Sequence, residues 1–532
     1  MNNFSNEIKK EEANYEKWRG VIERDLKIDI AGLRIAGMPR NYTKQLLEEY
    51  PRLNQGKKFL EDEEGNMFQV KENLDKRKEI KLKFLELAYG KDKKWSEATE
   101  LLVEYIKDTT QIYTTKSDNK SEMWVYNEGV YEPDGRSEIK RILRDLLDNC
   151  YSVFIYNKVV EKLEPDTYIK PDDFFKQEYK EEIPVQNGIL NVRTLELSPF
   201  RPDKIFFNKL PVTFDITAQC PMIIKFLKEV LRDENDINVF FEMVGFCLYK
   251  EYTFEKAFML VGNGRNGKSK AIELIKRMIG VSNTCSIQLT SLIPESFSIS
   301  ELFGKMVNLA GDISNTDLKE TGTFKTLTGR DIVGGKRKFL NDLTFENYAK
   351  FIFACNELPM VYDMSRGFWD RWVLLEFPYT FVTQDEYDQT DDKELLKIRD
   401  DEIINKISTP QELSGLLNMA LVSLNKLFKA KKFSSSLGTD EIKSTWIKKS
   451  NSFIAFCYDK VEGCYDGSIS KKELRKEFAK YCKDNNIHAK SDYVIKRILQ
   501  DNYGSSEERQ NTFGDRWEWF WVGIKWKEAK NE

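Results

Sequence analysis

Histidine is nearly missing from this 532-residue sequence, which contains only His488. Its eight cysteines are scattered along the chain and include no C-x-x-C pair. These two shortages argue against a zinc site and against a disulfide framework, and they suit a reducing cytosol. A single histidine also excludes any mechanism in which one histidine base is paired with another.

A strong charge imbalance and a long apolar run are missing as well. The net charge is only -4, so the chain has no general attraction for nucleic acid or anionic membranes and needs a local basic surface to bind either. The opening residues, MNNFSNEIKKEEANYEKW, are charged, and no stretch is apolar enough to cross a bilayer. We therefore expect no secretory signal, no membrane partner and a cytoplasmic location.

The sequence does contain enough apolar material for several cores. Hydrophobic residues make up 41% of the chain and aromatic residues 13%, which at this length predicts about three or four domains. The span from about 250 to 380 alternates strand-like and helical patterns. This alternation predicts an α/β fold with a parallel sheet that binds a nucleotide.

A glycine-rich turn lies in the stretch MLVGNGRNGKSKAIELI, residues 259–275. Gly262, Gly267, Lys268 and Ser269 satisfy the pattern G-x-x-x-x-G-K-[ST]. In that pattern backbone N–H groups cradle phosphates, the lysine reaches the β and γ phosphates, and the hydroxyl holds Mg²⁺. Strand, loop and helix follow in the order that the motif requires, which favours a phosphate loop over an ordinary glycine turn.

Polar residues follow two later apolar segments, and two arginines precede a third. Asp312, in KMVNLAGDIS, is placed to hold or orient Mg²⁺ and its water, although it could instead cap a helix. Asn356, in YAKFIFACNELP, can orient a water near the γ phosphate or simply form a turn. Arg366 and Arg371, in SRGFWDRWVLLEF, suit surface ion pairs, but in a ring-forming ATPase such an arginine can reach a neighbour's nucleotide.

The ordered segments GNGRNGKS, NLAGDIS, FKTLTGRDIVGGKRK, FIFACNELP and GFWDRWVLLEFPYTF resemble the superfamily 3 helicase core of phage, plasmid and poxvirus primase-helicases. The resemblance spans roughly residues 122–450. It implies a P-loop AAA+ (superfamily 3) ATPase core with a helical collar, a mixed α+β N-terminal region and a C-terminal winged-helix domain. The implied divisions are an N-terminal, mostly helical domain of unassigned role (1–120), the domain before the core (121–245), the core (246–385), the collar or linker (386–447) and the winged helix (448–532).

The same resemblance implies roles for individual residues, with ATP and Mg²⁺ as cofactors. Lys268, Asp312, Asn356 and Arg371 are the implied catalytic residues, with Arg371 acting on a neighbouring subunit, and Ser269 and Asp312 are the implied metal ligands. The implied ATP-binding residues are Gly262, Asn263, Gly264, Arg265, Asn266, Gly267, Lys268 and Ser269.

A hairpin between the second and third strands of such cores grips single-stranded DNA, and GGKRKFLND fits it. Lys336, Lys338 and Phe339 are the implied DNA-binding residues, because cations meet phosphates and a ring can stack on a base. From the residues alone, a solvated basic turn is the first interpretation. Two positions depart from the family pattern: Gly311 replaces a second acidic residue, and Lys270 replaces a small hydroxyl residue.

The last segment supports a separate argument. SISKKELRKEFAKYCKDNNIHAKSDYVIKRILQDNYG contains two helical patterns joined by a short turn, and SSEERQNTFGDRWEWFWVGIKW reads as an apolar hairpin. This arrangement is typical of a winged helix, whose second helix can enter a major groove. Positive charges outnumber negative ones between Lys471 and Arg497, although such domains also bind proteins.

The resemblance thus implies an ATP-dependent DNA helicase, translocating on a single strand as a hexameric ring in phage, plasmid or mobile-element replication. Its expected partners are single-stranded and forked DNA, further copies of itself, and a primase or polymerase of the same element. The expected cytoplasm is then the host's. Two alternatives stay open: an ATP-binding origin-recognition or loading protein, and a primase-helicase with a divergent primase region. Residues 1–120 are few for a primase domain and show no acidic and histidine cluster.

Overall fold

The computed structural model describes residues 66–527, apart from 117–120, 177, 295, 314–316, 337–342, 436, 451, 485–488 and 513–515. The chain forms two compact units. The described residues up to 176, together with 201–207, form the N-terminal unit, and the other described residues form the main unit. Within these described ranges, no helix combines the length and the apolar character needed to cross a membrane.

The N-terminal unit combines helices with one small sheet. Its elements are α1 (Asn66–Tyr89), α2 (Trp95–Thr109), β1 (Ile112–Thr115), β2 (Glu122–Asn127), β3 (Val130–Glu132), α3 (Gly135–Leu147), α4 (Val153–Asp166), β4 (Tyr168–Ile169) and α5 (Pro171–Phe174). Apolar residues at helical spacing form α2, which buries Ala98, Leu102 and Ile106 along one face. β1 pairs antiparallel with β2, so the predicted division at residue 120 falls between two strands of one sheet.

The main unit carries the larger sheet. Its elements up to residue 450 are β5 (Glu182–Val185), β6 (Gly188–Asn191), β7 (Leu197–Ser198), α6 (Pro221–Val230), α7 (Glu234–Leu248), β8 (Ala257–Val261), α8 (Lys268–Ile279), β9 (Thr284–Cys285), α9 (Phe297–Ser300), β10 (Val307–Ala310), α10 (Gly322–Thr328), β11 (Ile332–Gly335), β12 (Leu343–Glu346), β13 (Lys350–Cys355), α11 (Arg366–Trp369), β14 (Trp372–Glu376), β15 (Thr380–Val382), α12 (Gln384–Gln389), β16 (Leu396–Ile398), α13 (Ile403–Ile407), α14 (Pro410–Ala430) and α15 (Thr439–Ser450).

Five parallel strands form the central sheet, in the order β14-β8-β13-β10-β9. β8, β10 and β13 are buried along their whole length. Strands covered on both faces read as continuous apolar runs rather than as alternating patterns, which is why these segments were recognisable. The predicted α/β fold with a parallel sheet is confirmed. Because the strands are parallel, the segments that follow β8, β10 and β13 all leave the sheet at its carboxyl edge.

Helices α7 and α14 pack together behind this sheet. α7 is buried on nearly all sides, including the run Val239–Leu248. A Cβ atom at Gly245 of α7 would lie 2.3 Å from the carbonyl oxygen of Ala420 in α14, so the close approach of the two helices requires glycine. The helical stretch expected after the core is therefore part of the same hydrophobic core as the sheet.

The last part of the main unit, residues 452–527, is called the C-terminal domain below. Its elements are α16 (Ser452–Lys460), β17 (Val461–Ser470), α17 (Lys471–Asp484), α18 (Asp492–Tyr503), β18 (Ser506–Thr512) and β19 (Arg516–Trp526). The strands form an antiparallel sheet in the order β17-β19-β18. A core of its own, including Phe453, Phe478, Leu499, Trp521 and Ile524, joins the helices to this sheet.

Candidate phosphate-binding site

The loop between β8 and α8 is shaped by its glycines. Gly267 has φ +89°, and a Cβ atom there would lie 2.6 Å from Cγ1 of Val230. A Cβ atom at Gly262 would lie 1.9 Å from Nδ2 of Asn266. No side chain among the described residues caps the N-terminus of α8, so its first N–H groups are donors for an anion at the loop.

Lys268 is a buried cation held by neutral oxygens. Its Nζ donates to the carbonyl oxygen of Gly262 at 2.5 Å, to Oδ1 of Asn266 at 2.9 Å and to Oδ1 of Asn356 at 3.1 Å. Burial lowers its pKa from the ordinary lysine value, while Cys355 and Asp312 act in the opposite direction. Among the residues that the structure describes, no carboxylate forms an ion pair with this ammonium. A buried ammonium that lacks a charged partner and faces an open cleft can bind an anion.

The polar residues at the carboxyl edge meet at this loop. Asn356 follows β13 and its Oδ1 also accepts from the backbone N–H of Gly264 at 3.3 Å. Asp312 follows β10 with φ +48°, is exposed, and lines the same cleft as Lys268 and Asn356. The structure thus brings Lys268, Ser269, Asp312 and Asn356 together in one site.

Two loops beyond this edge are tied to each other. Backbone N–H of Leu318 donates to the carbonyl oxygen of Met360 at 2.7 Å, and that of Tyr362 donates to the carbonyl oxygen of Leu318 at 3.3 Å. Leu318 follows the Asp312 segment and Tyr362 follows the Asn356 segment. The two segments that carry the polar residues are therefore joined by main-chain hydrogen bonds.

The cleft over the loop has a volume of about 340 Å³. Backbone and side chains of residues 264–270 form one wall, and apolar side chains form another: Phe226, Phe381, Ile398 and Ile403. A charged end and an apolar end suit a ligand with phosphates on one side and a planar ring on the other. Sequence reasoning missed this apolar wall, because its residues come from separate elements and share no motif.

Arg265 is positioned by a residue that the sequence did not indicate. Its Nη1 lies 3.1 Å from Oε1 of Glu386 in α12. The pKa of the Glu386 carboxyl is lowered mainly by a hydrogen bond from the Thr383 backbone, and next by the hydrogen bond from Arg265. Of the other predicted loop residues, Gly264, Asn266 and Ser269 line the cleft, whereas Gly262 and Asn263 lie in the loop outside its lining.

The residues present fit a magnesium ion better than a transition metal. In the described parts of the chain, no three or more His, Cys, Asp or Glu side chains converge as a metal site. Magnesium usually needs only one or two carboxylates together with phosphate oxygens and water. The Ser269 hydroxyl and the Asp312 carboxylate are oxygen donors on the cleft, so they can fill that role.

Arg371 lies at the opposite edge of the sheet. Trp372 pairs with Ala257 and Glu376 with Val261, so Arg371 is separated from the phosphate loop by the length of β8, about 13 Å. Its Nε donates to Oγ1 of Thr328 at 2.8 Å and its Nη2 lies 3.3 Å from Oε2 of Glu255. The Arg371 side chain is 16% exposed, whereas that of Arg366 is 85% exposed.

The two strands of the predicted DNA hairpin are β11 and β12, which pair antiparallel. Lys336 directly follows β11 and is exposed. Lys338 and Phe339 lie outside the described residues. The two-stranded hairpin is therefore present, and the roles of these three residues stay a prediction.

Comparison with known proteins divides the chain into two matched regions. Residues 68–232 match a family described as D5 N terminal like, and residues 260–371 match DUF5906, a family of unknown function. Putative helicase L207/L206 of Acanthamoeba polyphaga mimivirus is 27% identical over 169 residues, covering 30% of this chain and 17% of that protein. Putative helicase 121R of Invertebrate iridescent virus 3 is 24% identical over 279 residues, covering 49% of this chain and 29% of that protein.

The chain spans less than a third of the length of these curated relatives. Among solved structures, the apo A form of the NrS-1 C terminal region is similar over 79% of this chain and 98% of that chain. The identity is 12% and the TM-score is 0.37.

Proposed function

We propose that this chain is an ATP-dependent DNA helicase that works as a hexameric ring. The observation that carries the proposal is Lys268, a buried ammonium in a glycine loop, surrounded by neutral oxygens and facing a cleft. A nucleoside triphosphate supplies the negative charge that pairs with the Lys268 ammonium. The viral relatives named as helicases, and the superfamily 3 resemblance of the motifs, support helicase action as the use of that nucleotide.

Four residues divide the chemistry at the cleft. Lys268 replaces its bonds to Asn266 and Asn356 with bonds to phosphate oxygens, and the N–H groups of the loop hold the remaining phosphate charge. Ser269 and Asp312 are the residues that hold Mg²⁺, which when bound neutralises charge on the phosphates. Asn356 and Asp312 orient the attacking water, and the apolar wall with Phe226 and Phe381 holds the base.

Arg371 is proposed to act on a neighbouring subunit. Within one chain it lies at the far edge of the sheet, so it cannot reach that chain's own phosphate loop. In a ring the far edge of one subunit can face the cleft of the next, where an arginine stabilises the charge that develops during phosphoryl transfer.

Contact with DNA is assigned to two regions. The hairpin that includes Lys336, Lys338 and Phe339 is proposed to grip a single strand inside the ring. The C-terminal domain has the element order helix, strand, helix, helix, strand, strand. This order supports a winged helix, which we take as a second nucleic-acid-binding region. Priming is assigned to a partner.

The test is an ATPase and strand-displacement assay on a forked duplex. The unchanged protein should hydrolyse ATP faster with single-stranded DNA and should displace a strand. Lys268→Ala should do neither while remaining folded by circular dichroism, and Lys276→Ala, two turns along the same helix, should do both. If Lys268→Ala hydrolyses ATP as fast as the unchanged protein, the proposal is wrong. If the protein binds ATP but single-stranded DNA barely stimulates its hydrolysis, the result would favour the loading protein instead.

A further inference from the structure

Two large aromatic side chains stand exposed on the C-terminal sheet. Alternate residues of a strand point to the same face, so Trp517, Trp519 and Trp521 of β19 share one side. Trp521 is 3% exposed and belongs to the domain core, whereas Trp517 and Trp519 are 55% and 52% exposed. The core face of the sheet therefore continues outward as an uncovered aromatic surface. Adjacent exposed tryptophans of this kind mark interaction sites. We call Trp517, Trp519 and the cations beside them the tryptophan face.

Cations border these rings. Arg509 is the cross-strand partner of Trp519, and its guanidinium lies 5.9 Å from the centre of the Trp517 ring. Nζ of Lys471 lies 5.4 Å from the Trp519 ring and 4.7 Å from the Trp521 ring, and it is paired with the carboxylate of Glu507. Among the described residues, Arg509 forms no ion pair with a carboxylate, so its charge is available to a ligand. Positive charge beside exposed indoles suits an anionic partner that also carries flat rings.

The cations of the second helix of the domain contact other groups of the protein, and one of them shares Glu507 with Lys471. Nζ of Lys496 in α18 lies 2.9 Å from Oε2 of Glu507. Nη2 of Arg497 donates to the hydroxyl of Tyr362 at 3.3 Å, and its Nε lies 3.5 Å from Oδ2 of Asp501. Both cations of this helix thus contact acidic or phenolic groups of the main unit, so its positive charge is already engaged within the protein.

We propose that the tryptophan face binds single-stranded nucleic acid by stacking unpaired bases on Trp517 and Trp519. The two residues are separated by about 6.8 Å along the strand, twice the 3.4 Å that separates nucleotides in one strand of a duplex. Successive bases can occupy both rings only in an extended, unpaired strand. Arg509 then faces its phosphates, whereas Lys471 is already paired with Glu507. The choice of nucleic acid rests on the proposed function, whereas the stacking geometry rests on these residues alone.

The experiment measures by anisotropy how a fluorescein-labelled oligo(dT) of about 20 nucleotides binds to the full chain. No ATP is added. The double variant Trp517→Leu with Trp519→Leu keeps apolar side chains and removes the aromatic rings. It should bind at least tenfold more weakly, because base stacking on an aromatic ring contributes about that much or more. Trp517→Phe with Trp519→Phe should retain most of the affinity. Tyr465→Ala, which removes a 94% exposed ring elsewhere in the domain, should leave it unchanged.

Three results would overturn the proposal. The first is equal oligo(dT) affinity in the leucine variant. The second is competition by duplex as strong as competition by single strand. The third is an association of two chains, seen by sedimentation, that Trp517→Ala with Trp519→Ala abolishes and that accounts for the exposed rings. Because no nucleotide is present, a failure of ATP hydrolysis does not affect the result, and loss of binding here leaves the ATPase proposal standing.

Discussion

At the scale of single residues, Asn356 links the sheet to the phosphate loop through one oxygen. Its Oδ1 accepts from the Gly264 backbone and from Nζ of Lys268. An amide oxygen is neutral, so Lys268 can exchange this bond for a bond to phosphate. A carboxylate in the same place would form an ion pair with the buried ammonium.

We therefore expect Asn356→Asp to weaken nucleotide binding by about tenfold or more, since the new ion pair competes with the phosphates. Equilibrium titration with a fluorescent ATP analogue measures this. Asn356→Ala is the control, because it removes the acceptor without adding charge and should mainly lower the rate of hydrolysis. Unchanged affinity in the aspartate variant would contradict the assignment of Lys268 to the phosphates.

Lys350 is a second buried lysine, with a structural role. Its Nζ donates to the carbonyl oxygens of Tyr249 and Tyr348, both at 2.7 Å, and lies 4.5 Å from the Phe246 ring. Burial lowers its pKa to about 7. A neutral amine still has two hydrogens for the two carbonyl groups, so the contacts do not require the charge.

This shift predicts a pH dependence of stability. Between pH of about 7 and 10.5, the unfolded chain binds a proton at Lys350 that the folded chain does not, so the free energy of unfolding should rise with pH. Lys350→Met should be less stable at pH 9, because two carbonyls lose a donor. It should also show a shallower rise with pH, by up to about 1.4 kcal/mol per pH unit. Urea unfolding at pH 7, 8 and 9 measures both effects, and an unchanged slope would contradict the lowered pKa.

At the scale of elements, helix α6 is held by a carboxylate from far along the chain. Glu412 of α14 is buried, and its oxygens accept from the backbone N–H groups of Met222 and Ile223 at 3.1 and 3.0 Å. These N–H groups lie in the first turn of α6, where no intrahelical acceptor exists. α6 in turn carries Phe226 and Val230, which contact the phosphate-binding site.

Glu412→Gln should lower the free energy of unfolding by about 1–3 kcal/mol, because a buried charge-assisted pair of hydrogen bonds is weakened. Glu441→Gln is the matched control: its carboxylate also accepts from a backbone N–H, that of Gly438 at 2.7 Å, but it is exposed. The control should change stability by less than about 0.5 kcal/mol. Denaturant unfolding compares the two variants, and equal losses would show that burial of Glu412 is not what matters.

Local patterns were enough to predict the strand, loop and helix around Lys268, since continuous apolar runs and helical spacing are visible within a short stretch. They were also enough to predict that Asp312 and Asn356 follow sheet strands. Because parallel strands end at one edge, the two residues meet there. The capping of α6 by Glu412 and the Arg265–Glu386 pair join residues more than a hundred positions apart. Such pairings depend on tertiary packing, and no periodicity in the sequence encodes them.

At the scale of the whole molecule, the proposed reaction needs two copies of the chain. Lys268→Ala subunits lack a working phosphate loop but keep Arg371, and Arg371→Ala subunits have the loop but lack the arginine. Each variant alone should be nearly inactive, since such an arginine contributes about 10³ to 10⁵ in rate. Mixed rings should regain part of the ATPase activity at interfaces that pair one intact loop with one intact arginine, as a coupled ATPase assay of the mixture would measure.

Arg366→Ala is the control for this experiment. The Arg366 side chain is the more exposed of the two and pairs only with its helical neighbour Asp370, at 3.4 Å, among the described residues. The Arg366→Ala variant should hydrolyse ATP on its own, without a second variant in the mixture. If sedimentation shows that mixed rings form and no activity returns, the contacts of Arg371 with Thr328 and Glu255 are its function, and it is an ion-pair partner within its own subunit.

The main-chain bonds between Leu318, Met360 and Tyr362 have a mechanical consequence. The hydroxyl of Tyr362 donates to Oδ2 of Asp317 at 3.1 Å and accepts from Arg497 of α18. Tyr362 thus contacts Leu318 and Asp317, which follow Asp312 in the chain, and also contacts the C-terminal domain through Arg497. We expect a shift of the segment after Asp312 or Asn356 to move these contacts, with the domain acting as a lever arm that enlarges a small displacement at the cleft. Motion at the cleft would then reach the C-terminal domain through the hydrogen bonds that Tyr362 makes with Asp317 and Arg497.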